Sequence, residues 1–328
     1  MACAIDVRQL SKLYNGGIKA LDGLDLRVKA AKVFAFLGPN GSGKTTLMRI
    51  LTTQIRPTSG SAYIFGLDTV KSGQEIRKII GYVPQETSVW LDISGYENLL
   101  IYSKIYGVPS KMREKRIQDT LQSMGIEEVA DRMVKSYSGG MVRRLEIACA
   151  LLVGPRILFL DEPTIGLDPS ARKAVWENLI SFKQEYGTTV FFNTHYMDEA
   201  DLYSDEIAII DKGRIVKSGT ASELKQSLRS EIIQVYSHDR IGGRVLESIR
   251  DLAFVQGVID NNSHLEIIVG DSETRLPLIL DLLRGEGISL ERICTAKPTL
   301  DDVFLNYAGA IHLKCREEEE RGSKPVQA

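Results

Sequence analysis

Residues 36–51 read FLGPNGSGKTTLMRIL, an apolar run and a helix-like run separated by a glycine-rich turn that ends on Lys-Thr-Thr. A connecting loop uses glycine for backbone freedom, but it has no need of a lysine and a hydroxyl at its exit. Glycine admits positive φ, so successive backbone N–H groups can turn inward. Together with the positive end of the following helix they form a cradle for an anion. Gly38-x-x-x-x-Gly43-Lys44-Thr45 is the P-loop pattern, and its chemistry is the binding of a nucleoside triphosphate. Pro39, Asn40, Gly41, Ser42 and Thr46 complete the loop and helix start. Lys44 is suited to the β- and γ-phosphates and the Thr45 hydroxyl to Mg²⁺.

Three further stretches carry reactive side chains. RILFLDEPTIGLDP (156–169) is an apolar strand that ends in Asp161-Glu162. A carboxylate at the end of a parallel strand faces the crevice where ligands bind. Asp161 fits the Mg²⁺ shell, directly or through water, and Glu162 can orient and deprotonate the attacking water. TVFFNTHYMDEAD (189–201) repeats the design, ending its strand at Thr194-His195. A lone histidine there is more often structural; beside a P-loop and an Asp-Glu strand, His195 reads as a γ-phosphate contact that also locks the catalytic geometry. Gln85, in IIGYVPQET, follows a short strand and can reach Mg²⁺ or the lytic water, a turn glutamine being the alternative. Lastly, Ser138-Gly139-Gly140 precede an amphipathic helix, a second anion site in a chain that already has one. That makes sense for another nucleotide, or for one approached from another subunit.

These side chains need strands and helices behind them. KVFAFLG (32–38) reads as a buried strand, and KTTLMRILTT (44–53) as a helix with Leu47, Ile50 and Leu51 on one face. The 328 residues suffice for about two domains, with 43% apolar and 26% charged residues, as in an ordinary globular protein. A net charge of −2 gives no basic field for nucleic acid. Four scattered cysteines read as reduced thiols in a cytosolic protein. No apolar stretch is long enough to span a membrane, and the N-terminus lacks a signal-peptide layout.

Gly38–Thr46, Gln85, YSGGM, FLDEP, GLDP and His195, in that order, resemble the ATP-binding subunit of an ABC transporter over residues 4 to about 225. The resemblance implies an α/β fold: a P-loop NTPase of ABC type, with a RecA-like core plus antiparallel β and α-helical subdomains, the helical one at about 90–140. It implies ATP and Mg²⁺ as ligands, with Thr45, Gln85 and Asp161 at the metal. It also implies a head-to-tail dimer with a second copy or a homologous subunit. There Ser138, Gly139 and Gly140 would meet the γ-phosphate held by the partner's Lys44, and Asp168 would lie across the seam. Tyr14, in LSKLYNG, matches the aromatic that stacks on adenine. The usual signature is Leu-Ser-Gly-Gly-Gln; here it reads Tyr137-Ser138-Gly139-Gly140-Met141, and Met141 cannot hydrogen-bond as glutamine does.

YSGGMVRRLEIA, THYMDEAD and PTLDDVFLNYAG are similar to daunorubicin-resistance-type ATPases of drug exporters. Such subunits pair with a separate multi-span permease, so the resemblance implies a place on the cytoplasmic side of the cell membrane and export of drugs, lipids or other hydrophobic compounds. A soluble ABC-type ATPase acting on ribosomes or DNA, or the motor of an importer, is the alternative. The family's permease groove falls near Val89, Trp90 and Leu91. Beyond the ATP-binding domain (1–225), the order β-α-β-β-α-β suggests a small ferredoxin-like α+β domain over 226–311, with a turn at Asn261-Asn262-Ser263 and a helix kinked or started near Pro277. It reads as a dimerising or regulatory module. Residues 312–328 read as a polar, disordered tail.

Overall fold

A computed structural model describes residues 2–228, 231–237, 241–261 and 264–307. The chain divides into two compact units, the second beginning at Ser222.

The first unit is built on a six-stranded sheet in the order Arg214–Gly219, Glu206–Asp211, Val33–Leu37, Thr189–Thr194, Ile157–Asp161, Ile80–Val83. Only the first pair is antiparallel. Every residue of the three strands 33–37, 157–161 and 189–194 is buried. Burial on both faces is why these strands read as unbroken apolar runs rather than alternating ones. On one face Phe34, Phe36 and Phe159 surround Phe191, with ring centroids 5.6, 5.8 and 5.7 Å from it. That cluster merges with the apolar side of an antiparallel sheet ordered Lys19–Lys29, Cys3–Leu13, Ser59–Ile64, Leu67–Asp68. On the opposite face Trp176, from helix Pro169–Tyr186, meets Phe192 edge-on at 4.6 Å.

Between the strands ending at Val83 and beginning at Ile157 lie three helices, Gly95–Ile105, Ser110–Ser123 and Gly139–Leu151. The first starts with a capping box in which Ser94 and Glu97 satisfy each other's backbone N–H. Of the three residues expected at a permease groove, Trp90 and Leu91 are exposed but Val89 is buried. Asn98 explains the outward set of Trp90: its amide accepts from Trp90 N at 2.8 Å and donates to Trp90 O at 2.9 Å. Val89 turns inward to the core, so it is no surface contact.

The second unit has the sheet order Val255–Asn261, His264–Val269, Glu231–Ser237, Leu290–Ala296, antiparallel throughout. Helices Gly243–Arg250 and Ser272–Gly285 supply Ile249, Ile279 and Leu283 to its core. The second helix continues through Pro277, and its N-cap is Asp271, whose carboxylate accepts from Thr274 N. Capping, not proline, sets the boundary there. A further helix spans 300–307. Asn262, Ser263 and the expected polar tail lie outside the described residues.

Phe191→Ala should remove about 3–5 kcal/mol of stability, since it empties the centre of the phenylalanine cluster. Urea denaturation measures it, and a loss below about 1 kcal/mol would contradict this packing.

Candidate functional site

The parallel register assembles the site. Leu37 pairs with Thr194, Asp161 with Asn193, and Val83 with Leu160. Gly38, Glu162, His195 and Gln85 therefore leave the sheet at one edge, the carboxyl ends of four neighbouring strands. Loop residues 39–41 and 43–46 line a cavity of about 210 Å³ there, with Gln85, Glu162 and His195. Glycine is required at both ends of the loop. A Cβ on Gly38 would lie 2.4 Å from Ile210 O, and one on Gly43 (φ 110°) 2.4 Å from Ala20 O. The helix Lys44–Leu51 then begins with no side-chain cap and no acid in its first turn. Its positive end is left open to the cavity.

Lys44, Glu162 and His195 form a chain. The Lys44 ammonium donates to Gly38 O at 2.7 Å and Pro39 O at 3.2 Å, and lies 3.8 Å from Glu162 Oε1. Burial pulls the Lys44 pKa down, and the Glu162 and Asp161 carboxylates resist it. The other Glu162 oxygen is 2.9 Å from His195 Nδ1. Glu162 has φ +48°, the left-handed region that a non-glycine residue enters only when its surroundings hold it. One restraint is its N–H, which donates to Asn193 O at 3.1 Å.

The remaining expected residues fall into two groups. Near the loop, Tyr14 is partly exposed, its hydroxyl 3.5 Å from Thr46 Oγ1. Asp161 is buried and accepts from Asn193 Nδ2 at 3.1 Å. Away from it, Ser138, Gly139 and Gly140 line no part of the loop cavity. Ser138 caps the helix Gly139–Leu151 by accepting from Met141 N at 3.3 Å. Gly139 opens instead on a separate cavity of about 460 Å³, which Gln85 and Ile165 also reach. Asp168 caps helix Pro169–Tyr186, accepting from Ser170 N and Ala171 N at 3.0 Å each.

Residues 21–165 match the family model described as ABC transporter, and residues 219–308 match that of the DrrA1-3-like ATP-binding protein C-terminal domain. The daunorubicin/doxorubicin resistance ATP-binding protein DrrA of Streptomyces peucetius is 38% identical over 310 residues, covering 93% of this chain and 92% of that protein. The chain belongs to the daunorubicin-resistance-type ABC transporter ATP-binding proteins. It is thus an ABC ATPase with the P-loop fold of that family. Among solved structures, cbiO1 from Clostridium perfringens, part of the ABC transporter complex cbiONQ, matches with TM-score 0.64 and 28% identity, over 70% of this chain and 95% of that one. A dimeric post-hydrolysis state of the ATP-binding cassette MJ0796, bound to ADP and Pi, matches with TM-score 0.59 and 28% identity, over 66% of this chain and 98% of that one. Among the described residues no helix is long and apolar enough to cross a membrane.

Two buried residues bonded to these strand ends carry no clear signal in the sequence. Asn193 is fully buried and ties both Asp161 and Glu162 to the neighbouring strand; its one signal is an amide inside the apolar run TVFFNT. Glu199, 1% exposed, follows His195 by four residues. It accepts from Thr164 Oγ1 and, at 3.2 Å, from Thr194 Oγ1, with Arg172 Nε 3.6 Å away. Burial pushes its pKa up to about 7, against the opposing pull of Arg172 and Thr194.

The raised value has a stability consequence. Folded Glu199 keeps its proton to near pH 7, whereas the unfolded chain releases it near 4.5. Its stabilising contribution is full below the unfolded value and is lost as pH climbs towards the folded one. Glu199→Gln should therefore flatten the fall in stability between pH 4.5 and 7 by about 2–3 kcal/mol. Denaturation across that range reads it, and a variant profile as steep as wild type would contradict the assignment.

Proposed function

We propose that this ABC ATPase binds two ATP in a head-to-tail dimer, with a second copy or a homologous subunit, and drives a separate multi-span membrane permease. It would act at the cytoplasmic side of the cell membrane. The permease would export drugs, lipids or other hydrophobic compounds, a reading supported by the resistance function in the name of the Streptomyces peucetius relative. The observation that carries the proposal is the chain Lys44–Glu162–His195 at the mouth of the loop cavity, with the signature residues facing elsewhere.

Glu162 is the base. With its carboxylate held by His195 Nδ1, it accepts the proton of a water that attacks the γ-phosphorus in line, and ADP leaves. Lys44 neutralises charge on the γ-phosphoryl oxygens, exchanging its carbonyl partners for phosphate. The Gly38–Thr46 backbone and the open helix end hold the phosphates, and Tyr14, beside Thr46, stacks on adenine. Thr45 and Gln85, which line the cavity, and Asp161 at the neighbouring strand end are the oxygen donors that would hold Mg²⁺, which would supply Lewis-acid stabilisation of the phosphoryl oxygens. Ser138 and Gly140 serve the nucleotide of the opposite subunit, as does Asp168 across the seam. The Ser138 hydroxyl accepts locally and so keeps its own proton to donate. Exposed Trp90, set by Asn98, and exposed Leu91 are the permease contact. The strand-helix order of the second unit, 4-1-3-2 across its sheet, supports a ferredoxin-like module for dimerisation or regulation.

Mixing two inactive variants tests the composite site. In a dimer of Lys44→Ala with Ser138→Arg, one site carries both lesions and the other carries neither. ATPase activity should reappear on mixing. If mixed dimers form, and a dimer with one wild-type site is active, a flat result would reject the trans role of Ser138.

A further inference from the structure

Helix Gly139–Leu151 carries two charges on its buried side, Arg143 and Glu146, with side chains 8% and 4% exposed and 2.9 Å apart. A buried ion pair is poor value as a stabilising device, since well-packed apolar residues commonly do as well. What this pair touches is more informative. An arginine has five N–H donors in a fixed planar fork. Here all five are used. Nε donates to Pro163 O at 2.7 Å. Nη2 donates to Asp161 O at 2.9 Å and Glu162 O at 3.3 Å. Nη1 donates to Pro84 O at 2.7 Å and to Glu146 Oε2 at 2.9 Å. The second Glu146 oxygen accepts from Ser88 N at 2.7 Å and from Ser88 Oγ at 3.4 Å.

Four of those contacts are backbone carbonyls, and they belong to the two segments that carry Gln85 and Glu162. Three consecutive carbonyls, 161 to 163, bracket the residue with φ +48°. Pro84 immediately precedes Gln85, and Ser88 lies two residues before exposed Trp90. One guanidinium and one carboxylate therefore hold the hydrolytic strand end and both ends of the 84–88 loop in a single buried frame, mounted on the helix that Ser138 begins.

We propose that Arg143, with Glu146, is a positioning residue for hydrolysis: it fixes the strained backbone of Glu162, and ties that backbone to the loop bearing Gln85 and leading to Trp90. Neither side chain lines the loop cavity; both line the separate cavity on which Gly139 opens. The proposal rests on Glu162 as the base. Its signature is a loss of turnover at unchanged ATP binding, because the P-loop cradle makes no contact with the pair. Lysine has three donors on a flexible stem and cannot reproduce the fork.

The test measures kcat, KM and ATP affinity for the full-length chain as wild type, Arg143→Lys, Glu146→Gln and the double variant, with Glu162→Gln alongside. Arg143→Lys should lower kcat by about tenfold to a hundredfold, as sub-ångström misplacement of a catalytic group does, with ATP affinity kept within about twofold. Glu146→Gln retains the acceptor for Ser88 but not the charge; it should lower kcat less, again at constant affinity. The double variant should be no worse than Arg143→Lys, because the two act as one unit. If Arg143→Lys does not fold, Glu146→Gln decides alone. Wild-type kcat in both single variants beside an inactive Glu162→Gln would overturn this proposal only. Turnover by Glu162→Gln would overturn the base assignment and the proposal with it. Parallel loss of kcat, ATP affinity and folded protein would reduce the pair to a structural role.

Discussion

A buried ammonium and a buried carboxylate, those of Lys44 and Glu162, stand 3.8 Å apart. Neither charge is easily taken out of water alone, so each depends on the other and on further partners. Lys44 leans on the carbonyls of its own loop, and Glu162 on His195. These groups follow three different strands. They meet only if the strands are parallel and in register, and a parallel sheet persists only if both faces are covered. The phenylalanines around Phe191, and Trp176 over Phe192, provide that cover. The chemistry at the edge and the aromatic core are thus one constraint seen from two sides.

Much of this was legible in the sequence because its signals are local. Glycines 38 and 43 mark places where a Cβ would strike backbone. Asp161 and His195 each terminate an apolar run, and strand ends are where a parallel sheet binds ligands. The strand-helix order of the second unit followed from short-range alternation, as in Glu231–Ser237, where Ile233 and Val235 are buried.

What stayed hidden depends on partners remote in sequence. Arg143 in MVRRLEIA looks like any basic residue on an amphipathic helix until residues 84 and 161–163 fold onto it. Arg144, its neighbour, caps carbonyls at 124 and 125 instead; nothing in the run RR tells the two apart. Glu199 is an acid in an acidic stretch, and only burial beneath Thr164 and Thr194 sets it aside. Val89 and Trp90 are adjacent and both apolar, yet Asn98 fixes which one faces outward. Pro277 misleads for a different, local reason: Asp271 has already capped the helix that carries through it.

On the proposed mechanism, Glu162 removes the proton of water while His195 holds its carboxylate. Single-turnover hydrolysis of MgATP by Glu162→Gln, His195→Ala and the double variant tests it most directly. Glu162→Gln should slow hydrolysis by at least about a hundredfold with ATP still bound, His195→Ala should slow it less, and the double variant should be no slower than Glu162→Gln. Near-wild-type turnover by Glu162→Gln, or losses that multiply in the double variant, would contradict it.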